Sequence, residues 1–163
     1  MSYDVRKIAN AILDQADHYG YPITNMALNK LVFFAHGWHL ALYDRPLVSS
    51  SFEAWQFGPV HPQIYRQFKS YDDHPIRGRA HRINLSSGNT SKMEYDLPEL
   101  VTLHIGNIIE FYGSYSASRL SQISHEVGAP WDQVWNGTGS RPGMTIDDNN
   151  TKNYYKSKLK GNS

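Results

Sequence analysis

The clearest periodic segment lies at the start of the chain. Over residues 4–19, apolar side chains recur every three or four positions, a spacing that predicts an amphipathic helix with one buried face. Gly20 is a helix-ending residue, and Thr24 or Asn25 can cap a second helix that runs to about Tyr43. The middle of this second helix is apolar almost all the way round, so we predict that it is the buried central helix of the core.

A β-hairpin is predicted directly after the second helix. Residues 47–49 and 52–57 are short apolar runs separated by two serines, which indicates two strands joined by a turn at 50–51. The dipeptide Gly58-Pro59 is expected to close the second strand.

Alternation along residues 52–57 assigns the side chains of that strand to opposite sides. We predict that Trp55 and Phe57 pack on the central helix near Trp38. This placement leaves Glu53 paired or at the end of the hairpin.

The rest of the chain is mostly helical in pattern. The predicted segments are a helix from Pro62 to about Phe68, a polar variable excursion over 74–96 that could form a loose hairpin, a helix from Pro98 to Gly113, a helix from about Ser116, a short turn at 131–135, a loop at 136–144 and a C-terminal helix at 145–160. The predicted fold class is therefore mainly α (α+β). It is a compact bundle of about six helices around a buried central helix, with a small antiparallel hairpin after helix 2, in one domain over residues 1–163.

Composition excludes several classes of protein. The 163 residues contain no cysteine, so disulfide frameworks, thiol nucleophiles and thiolate metal sites are excluded. Lysine and arginine exceed aspartate and glutamate by one, 16 against 15, so overall charge does not recruit nucleic acid or an anionic membrane. The start of the chain is not followed by the apolar run of a signal peptide, and we expect a cytoplasmic protein that does not bind membranes.

Two histidines three positions apart, His36 and His39, could share a metal ion. The pair has no carboxylate at a fixed distance and sits in the most apolar helix, so we expect buried or interface histidines whose nitrogens are satisfied. His125-Glu126 begins like a metalloprotease motif, but the second histidine is missing because position 129 is alanine. We therefore expect no catalytic residues, no metal, no cofactor and no enzyme activity.

A basic stretch lies inside the variable excursion. Arg77 and Arg79 would share one face of a strand, with Arg82 nearby, and such an edge could contact phosphates. No aromatic residue is interleaved with these arginines, which favours a solvated edge strand protected by its charges.

Three segments together resemble a known family. The segments are LNKLVFFAHGWHLALYDRPL (28–47), FEAWQFGPVHPQIYRQF (52–68) and LSQISHEVGAPW (120–131). In their order and spacing they resemble the Panacea domain family, whose members are also called SocA-like or GepA-like phage-associated proteins. The matching positions are Lys30, Phe34, Gly37, Trp38, His39, Arg45, Pro46, Glu53, Trp55, Gly58, Pro59, Pro62, His125, Pro130 and Trp131, which we call the signature residues.

The resemblance implies an antitoxin. Members are encoded beside small protein toxins, often on prophages, and many neutralise the toxin by direct binding. The SocA branch acts instead as a proteolytic adaptor that delivers its toxin to the ClpXP protease. A third possibility, from another class, is a nucleic-acid-binding autoregulator of its own operon, for which the basic stretch is the only support.

The expected partner is therefore a cognate toxin from the neighbouring gene. We expect the signature residues to be mostly structural, so partner contacts should come from flanking positions that could be exposed. The candidate contact residues are Phe57, His61, Tyr65, Arg77, Arg79 and Arg82.

Overall fold

A computed structural model describes residues 1–137 and 144–161 of the chain. The elements, in chain order, are α1 (Val5–Tyr19), α2 (Asn25–Tyr43), β1 (Glu53–Trp55), β2 (Gly58–Val60), α3 (Pro62–Phe68), a 3₁₀ turn (Lys69–Tyr71), β3 (His81–Ile83), β4 (Thr90–Lys92), α4 (Glu99–Tyr112), α5 (Ala117–Ser124), α6 (Pro130–Trp135) and α7 (Asp148–Gly161). The mainly helical fold class is confirmed, with seven α-helices in these two ranges. Within the same ranges, no helix is both long and apolar enough to cross a bilayer.

The first two helices begin and end as their sequences predict. The Asp4 side chain caps α1 by accepting a hydrogen bond from the Arg6 amide, and Gly20 ends the helix in the left-handed conformation. Thr24 caps α2 in the same way, through the Ala27 amide.

Helix α2 is the centre of the fold. Fifteen of its 19 residues are buried, and α1, α3, α4, α5, α7 and strand β2 all pack against it. The prediction of a buried central helix is confirmed, because an all-round apolar helix needs neighbours on every side.

The predicted pairing of the first hairpin is wrong. Residues 47–49 form no strand, and Val48 makes only an isolated bridge to Tyr3. Strand β1 pairs antiparallel with β2, so the chain reverses at residues 56–57 and Gly58-Pro59 belongs to the second strand rather than closing it. The backbone of Gly58 has φ +117°, a conformation that other residues rarely adopt, and this glycine permits the tight reversal.

The predicted contact of Trp55 and Phe57 with the central helix is also wrong. Phe52 takes that place, because it is 2% exposed and its ring lies 5.2 Å from the ring of Phe33 on α2. The Trp55 ring instead packs on Tyr65 of α3 at 5.0 Å, and Phe57 is 55% exposed in the turn. Alternation correctly separated Phe52 and Ala54 from Glu53 and Trp55, but the side that carries Trp55 was wrongly predicted to be the buried one.

Residues 74–96 do contain a hairpin, formed by β3 and β4. One buried side chain of α1 fastens this hairpin to the helical body. The Asn10 amide donates to the carbonyls of Ala80 at 3.1 Å and Met93 at 3.0 Å, and its oxygen accepts from the Ala80 amide at 2.8 Å.

Helix α7 begins at Asp148, three residues later than predicted. The preceding residues are extended, because Thr145 bridges Glu53 and the Ile146 amide donates to the Phe52 carbonyl. Most of the loop predicted at 136–144 lies outside the described residues.

Candidate functional site

A buried lysine lies beneath the turn of the first hairpin. Lys30 of α2 is fully buried, and its Nζ donates to the Pro59 carbonyl at 3.0 Å and contacts the Met26 sulfur at 3.5 Å. Gly58 lies directly on top of it, since a Cβ at this glycine would come within 2.7 Å of Lys30 Cε and 2.6 Å of the Ser124 hydroxyl. Glycine is therefore required here for space as well as for backbone conformation.

The amine of Lys30 is buried without a counter-ion from the described residues. No carboxylate of residues 1–137 or 144–161 forms an ion pair with it. Burial disfavours the charged form and lowers the pKa of Lys30 from 10.5 to about 7. The lysine acts as a hydrogen-bond donor to the hairpin backbone rather than as one half of a salt bridge.

The late signature residues close the other side of this hairpin. The His125 ring stacks on Trp131 with centroids 3.9 Å apart, and the Trp131 indole donates to the Trp55 carbonyl at 2.6 Å. The Ser121 hydroxyl donates to the Phe57 carbonyl. Burial, and then the nearby Lys30 charge, lower the pKa of His125. Helices α5 and α6 thus hold the hairpin backbone in place.

The histidines of α2 bind other protein groups. His36 Nδ1 accepts from the Val48 amide at 3.2 Å, which leaves Nε2 to donate to Asp148 at 2.9 Å. His39 Nδ1 donates to the Arg45 carbonyl at 2.6 Å, and burial lowers its pKa. In the part of the chain that the structure describes, no group of three or more histidine, aspartate or glutamate side chains could hold a metal ion.

Two further signature residues shape the junction of α2 with α4 and α7. A Cβ at Gly37 would lie 2.3 Å from the Tyr155 ring, so this glycine lets α7 approach α2 closely. The Trp38 indole donates to the Tyr112 hydroxyl at 2.9 Å, and the Tyr112 ring stacks on Phe34 at 4.6 Å.

The remaining signature residues lie at turns and at helix starts. The backbone of Arg45 and Pro46 forms the exposed turn that follows α2, and Glu53 accepts from the Trp55 indole at 2.9 Å. Pro62 and Pro130 occupy the first positions of α3 and α6, where proline is well tolerated.

The candidate contact residues of the hairpin differ in accessibility. Phe57 projects into solvent, and Tyr65 is half-buried against Trp55. His61 is 3% exposed, and its Nε2 is hydrogen-bonded to the Ser50 hydroxyl at 2.6 Å. Burial lowers the pKa of His61 to about 4. Its side chain therefore does not reach the surface as a partner contact would.

The basic candidates do not form one strand face, because β3 begins only at His81. Arg77 and Arg82 are exposed. Arg79 binds back to α1, with its Nε 2.7 Å from Asp14 and a second contact to Asp17. The predicted shared face of Arg77 and Arg79 is therefore wrong.

Sequence reasoning missed an exposed apolar stripe on the outer side of α4. Leu100, Leu103 and Phe111 are 55%, 58% and 66% exposed, and with Asn107 they occupy one face of the helix at spacings of three and four. We call these four residues the α4 stripe. Leu42 of α2, 49% exposed, adds apolar surface through a shared groove with Asn107 and Phe111. The sequence already indicated this stripe, since α4 has apolar residues on its outer face as well as on the face that packs against the core.

An aromatic cleft of about 570 Å³ adjoins the Phe111 end of this stripe. It lies between α2, α4, α5, α6 and α7. Its lining includes Trp38, Phe111, Tyr112, Tyr115, Arg119 and Tyr154. Glu126, also in the lining, accepts from the Tyr154 hydroxyl and from Lys158 Nζ, the latter at 2.9 Å. Arg119 lies over the Tyr115 ring, 5.9 Å from its centroid.

The fold and this geometry define a mainly helical protein whose central helix supports a hairpin through a buried lysine. Comparisons with known proteins identify the family. The profile described as "Antitoxin SocA-like, Panacea domain" matches residues 28–132, which include most of α2, the first hairpin and α5. Antitoxin SocA of Caulobacter vibrioides (strain NA1000 / CB15N) is 41% identical over 145 residues, 89% of this chain and 77% of that protein. The chain belongs to the antitoxin SocA-like, Panacea domain family. No solved structure matches it.

Proposed function

We propose that this protein is an antitoxin that neutralises a cognate protein toxin by binding directly to it. Membership of the family and the similarity to a protein named Antitoxin SocA support the class of function. The observation that supports direct binding is the α4 stripe, which exposes three large apolar side chains on one helix face. Large apolar side chains exposed on one helix face are typical of protein interaction sites, because leaving such surface in water is unfavourable.

The stripe has the form of a helix-face interface. Large apolar and aromatic side chains at the centre of an interface supply most of its binding free energy. Phe111 lines both the aromatic cleft and the groove that it shares with Leu42, so a partner that covers the Phe111 end of the stripe also contacts the edge of the cleft.

Co-expression with the product of the neighbouring gene tests the proposal. The wild-type chain should restore growth and co-purify with the toxin, and the double variant Leu103→Glu/Phe111→Glu should lose both properties while remaining folded. Leu85→Glu is the matched control, since Leu85 is 98% exposed on the second hairpin, away from α4. Absence of any complex between the wild-type chain and the toxin would contradict direct binding.

The same assay separates direct inhibition from delivery to a protease. Direct inhibition requires no protease, so protection should persist in cells that lack ClpXP. Loss of protection in those cells, with the toxin then accumulating, would favour the adaptor mechanism.

A further inference from the structure

We propose that the aromatic cleft receives a toxin segment in which a carboxylate lies beside an apolar side chain, and that Arg119 binds the carboxylate. This inference rests on the proposed function and names the chemistry of the partner at that surface.

Among the described residues that line the cleft, one cation has no carboxylate partner. Its charged lining residues are Arg119, Glu126 and Lys158. Glu126 and Lys158 pair with each other at 2.9 Å, whereas no carboxylate in the described ranges 1–137 and 144–161 pairs with Arg119. The electrostatic complement of the cleft is therefore an anion.

The position of Arg119 is unfavourable for the isolated fold. It is the third residue of α5, whose first turn contains no acidic side chain. The positive end of a helix dipole favours carboxylates and disfavours cations, so arginine here does not stabilise the helix. A bound carboxylate would interact favourably with both the guanidinium and the helix end.

The lining explains why the partner should also present an apolar side chain. Trp38, Tyr112 and Tyr154 form aromatic walls, and the volume of about 570 Å³ lies within the usual range of ligand pockets. The exposed Arg119 guanidinium lies over the Tyr115 ring, 5.9 Å from its centroid, a contact that favours this orientation and leaves the cation accessible to a partner. Aromatic walls beside an accessible guanidinium favour one apolar anchor with one neighbouring acid.

The test measures binding of the purified chain to the purified product of the neighbouring gene by calorimetry. Arg119→Glu should weaken binding on the order of 30-fold, because like charges then face each other in a desolvated site. Arg66→Glu, a change at an exposed arginine of α3 outside the cleft, should leave the affinity within about twofold of wild type. Since glutamate is favourable in the first turn of a helix, Arg119→Glu should keep or raise the melting temperature, so weaker binding cannot come from unfolding.

A charge-swap scan completes the experiment. Each surface aspartate or glutamate of the toxin is replaced by lysine, and one such replacement should restore binding to the Arg119→Glu variant. Wild-type affinity of Arg119→Glu, or failure of every replacement to restore binding, would overturn the inference and leave the proposed function standing. Arg119-dependent binding of a single-stranded RNA oligonucleotide, with toxin binding unchanged, would also overturn it. If the wild-type chain does not bind the toxin at all, the proposed function itself fails.

Discussion

Replacement of Lys30 by methionine is the most direct test of the buried site beneath the hairpin. Methionine keeps the length and apolar character of the side chain and removes the amine. The change leaves the Pro59 carbonyl without its donor, and an unsatisfied buried polar group costs about 1–3 kcal/mol. It also removes a buried amine with which no carboxylate of the described ranges 1–137 and 144–161 forms an ion pair.

The pKa of Lys30 determines how strongly the free energy of unfolding should depend on pH. In the unfolded chain this amine holds its proton up to about pH 10.5, whereas in the folded protein burial lowers its pKa to about 7. Unfolding therefore takes up a proton between these two pH values, and the free energy of unfolding must rise as the pH increases through that window. For one group with these pKa values, the rise between pH 7 and pH 9 is about 2 kcal/mol, with little change below pH 7.

Urea denaturation at pH 6, 7, 8 and 9 measures this dependence. The wild-type protein should gain about 2 kcal/mol relative to Lys30→Met between pH 7 and pH 9. The lost hydrogen bond lowers the free energy of unfolding of the variant at every pH, but it does not change the slope of that free energy against pH. Lys92→Met, at an exposed lysine of β4, should retain the wild-type slope. Parallel curves for wild type and Lys30→Met would show that Lys30 stays charged in the folded protein and would refute the reasoning.

Three further predictions test other parts of the structure. His61→Gln should reduce acid sensitivity. Because the pKa of His61 is lowered to about 4, the free energy of unfolding of the wild type should fall by up to about 3 kcal/mol between pH 6.5 and pH 4. The variant should not show this loss, and equal losses in acid denaturation would contradict the prediction. Gly37→Ala should destabilise the fold by about 1–3 kcal/mol in thermal denaturation, because the new methyl meets the Tyr155 ring, and an unchanged melting temperature would show that α7 moves freely. Phe52→Ala should lower the free energy of unfolding by about 3–5 kcal/mol in urea denaturation, and Phe57→Ala should lower it by less than about 0.5 kcal/mol. If Phe57→Ala were the more destabilising change, the side of the strand that carries Phe57 would be the buried one.

The helices could be predicted from sequence because their signals are local. Side-chain capping by Thr24 and the left-handed Gly20 determine where α1 ends and α2 begins, and both act within a few residues. The all-round apolar pattern of α2 required burial on every side whatever the neighbouring elements were. The start of α7 was placed three residues early because Thr145 is drawn into a bridge with Glu53, a contact that no local pattern contains.

The first hairpin could not be predicted because its register depends on distant groups. The segment 52–60 is apolar on both sides of its strands, so alternation does not decide which side faces the core. The choice is made by Lys30, whose amine binds the Pro59 carbonyl from 29 positions away, and by Trp131, whose indole binds the Trp55 carbonyl from 76 positions away. Both side chains bind backbone carbonyls, which every residue carries, so the residue pattern does not reveal these contacts.

The structure separates the residues that build the fold from those proposed to bind the toxin. Lys30, Gly37 and Trp131 are buried or sterically confined, so most substitutions there must disturb the core. Leu103 and Phe111 are more than half exposed, and changing them alters little buried area, so their effect on stability should be within about 0.5 kcal/mol. A protein arranged in this way can change its exposed helix face without changing its fold. If Leu103→Glu instead unfolded the protein, the α4 stripe would be part of the core and the proposed interface would have to lie elsewhere.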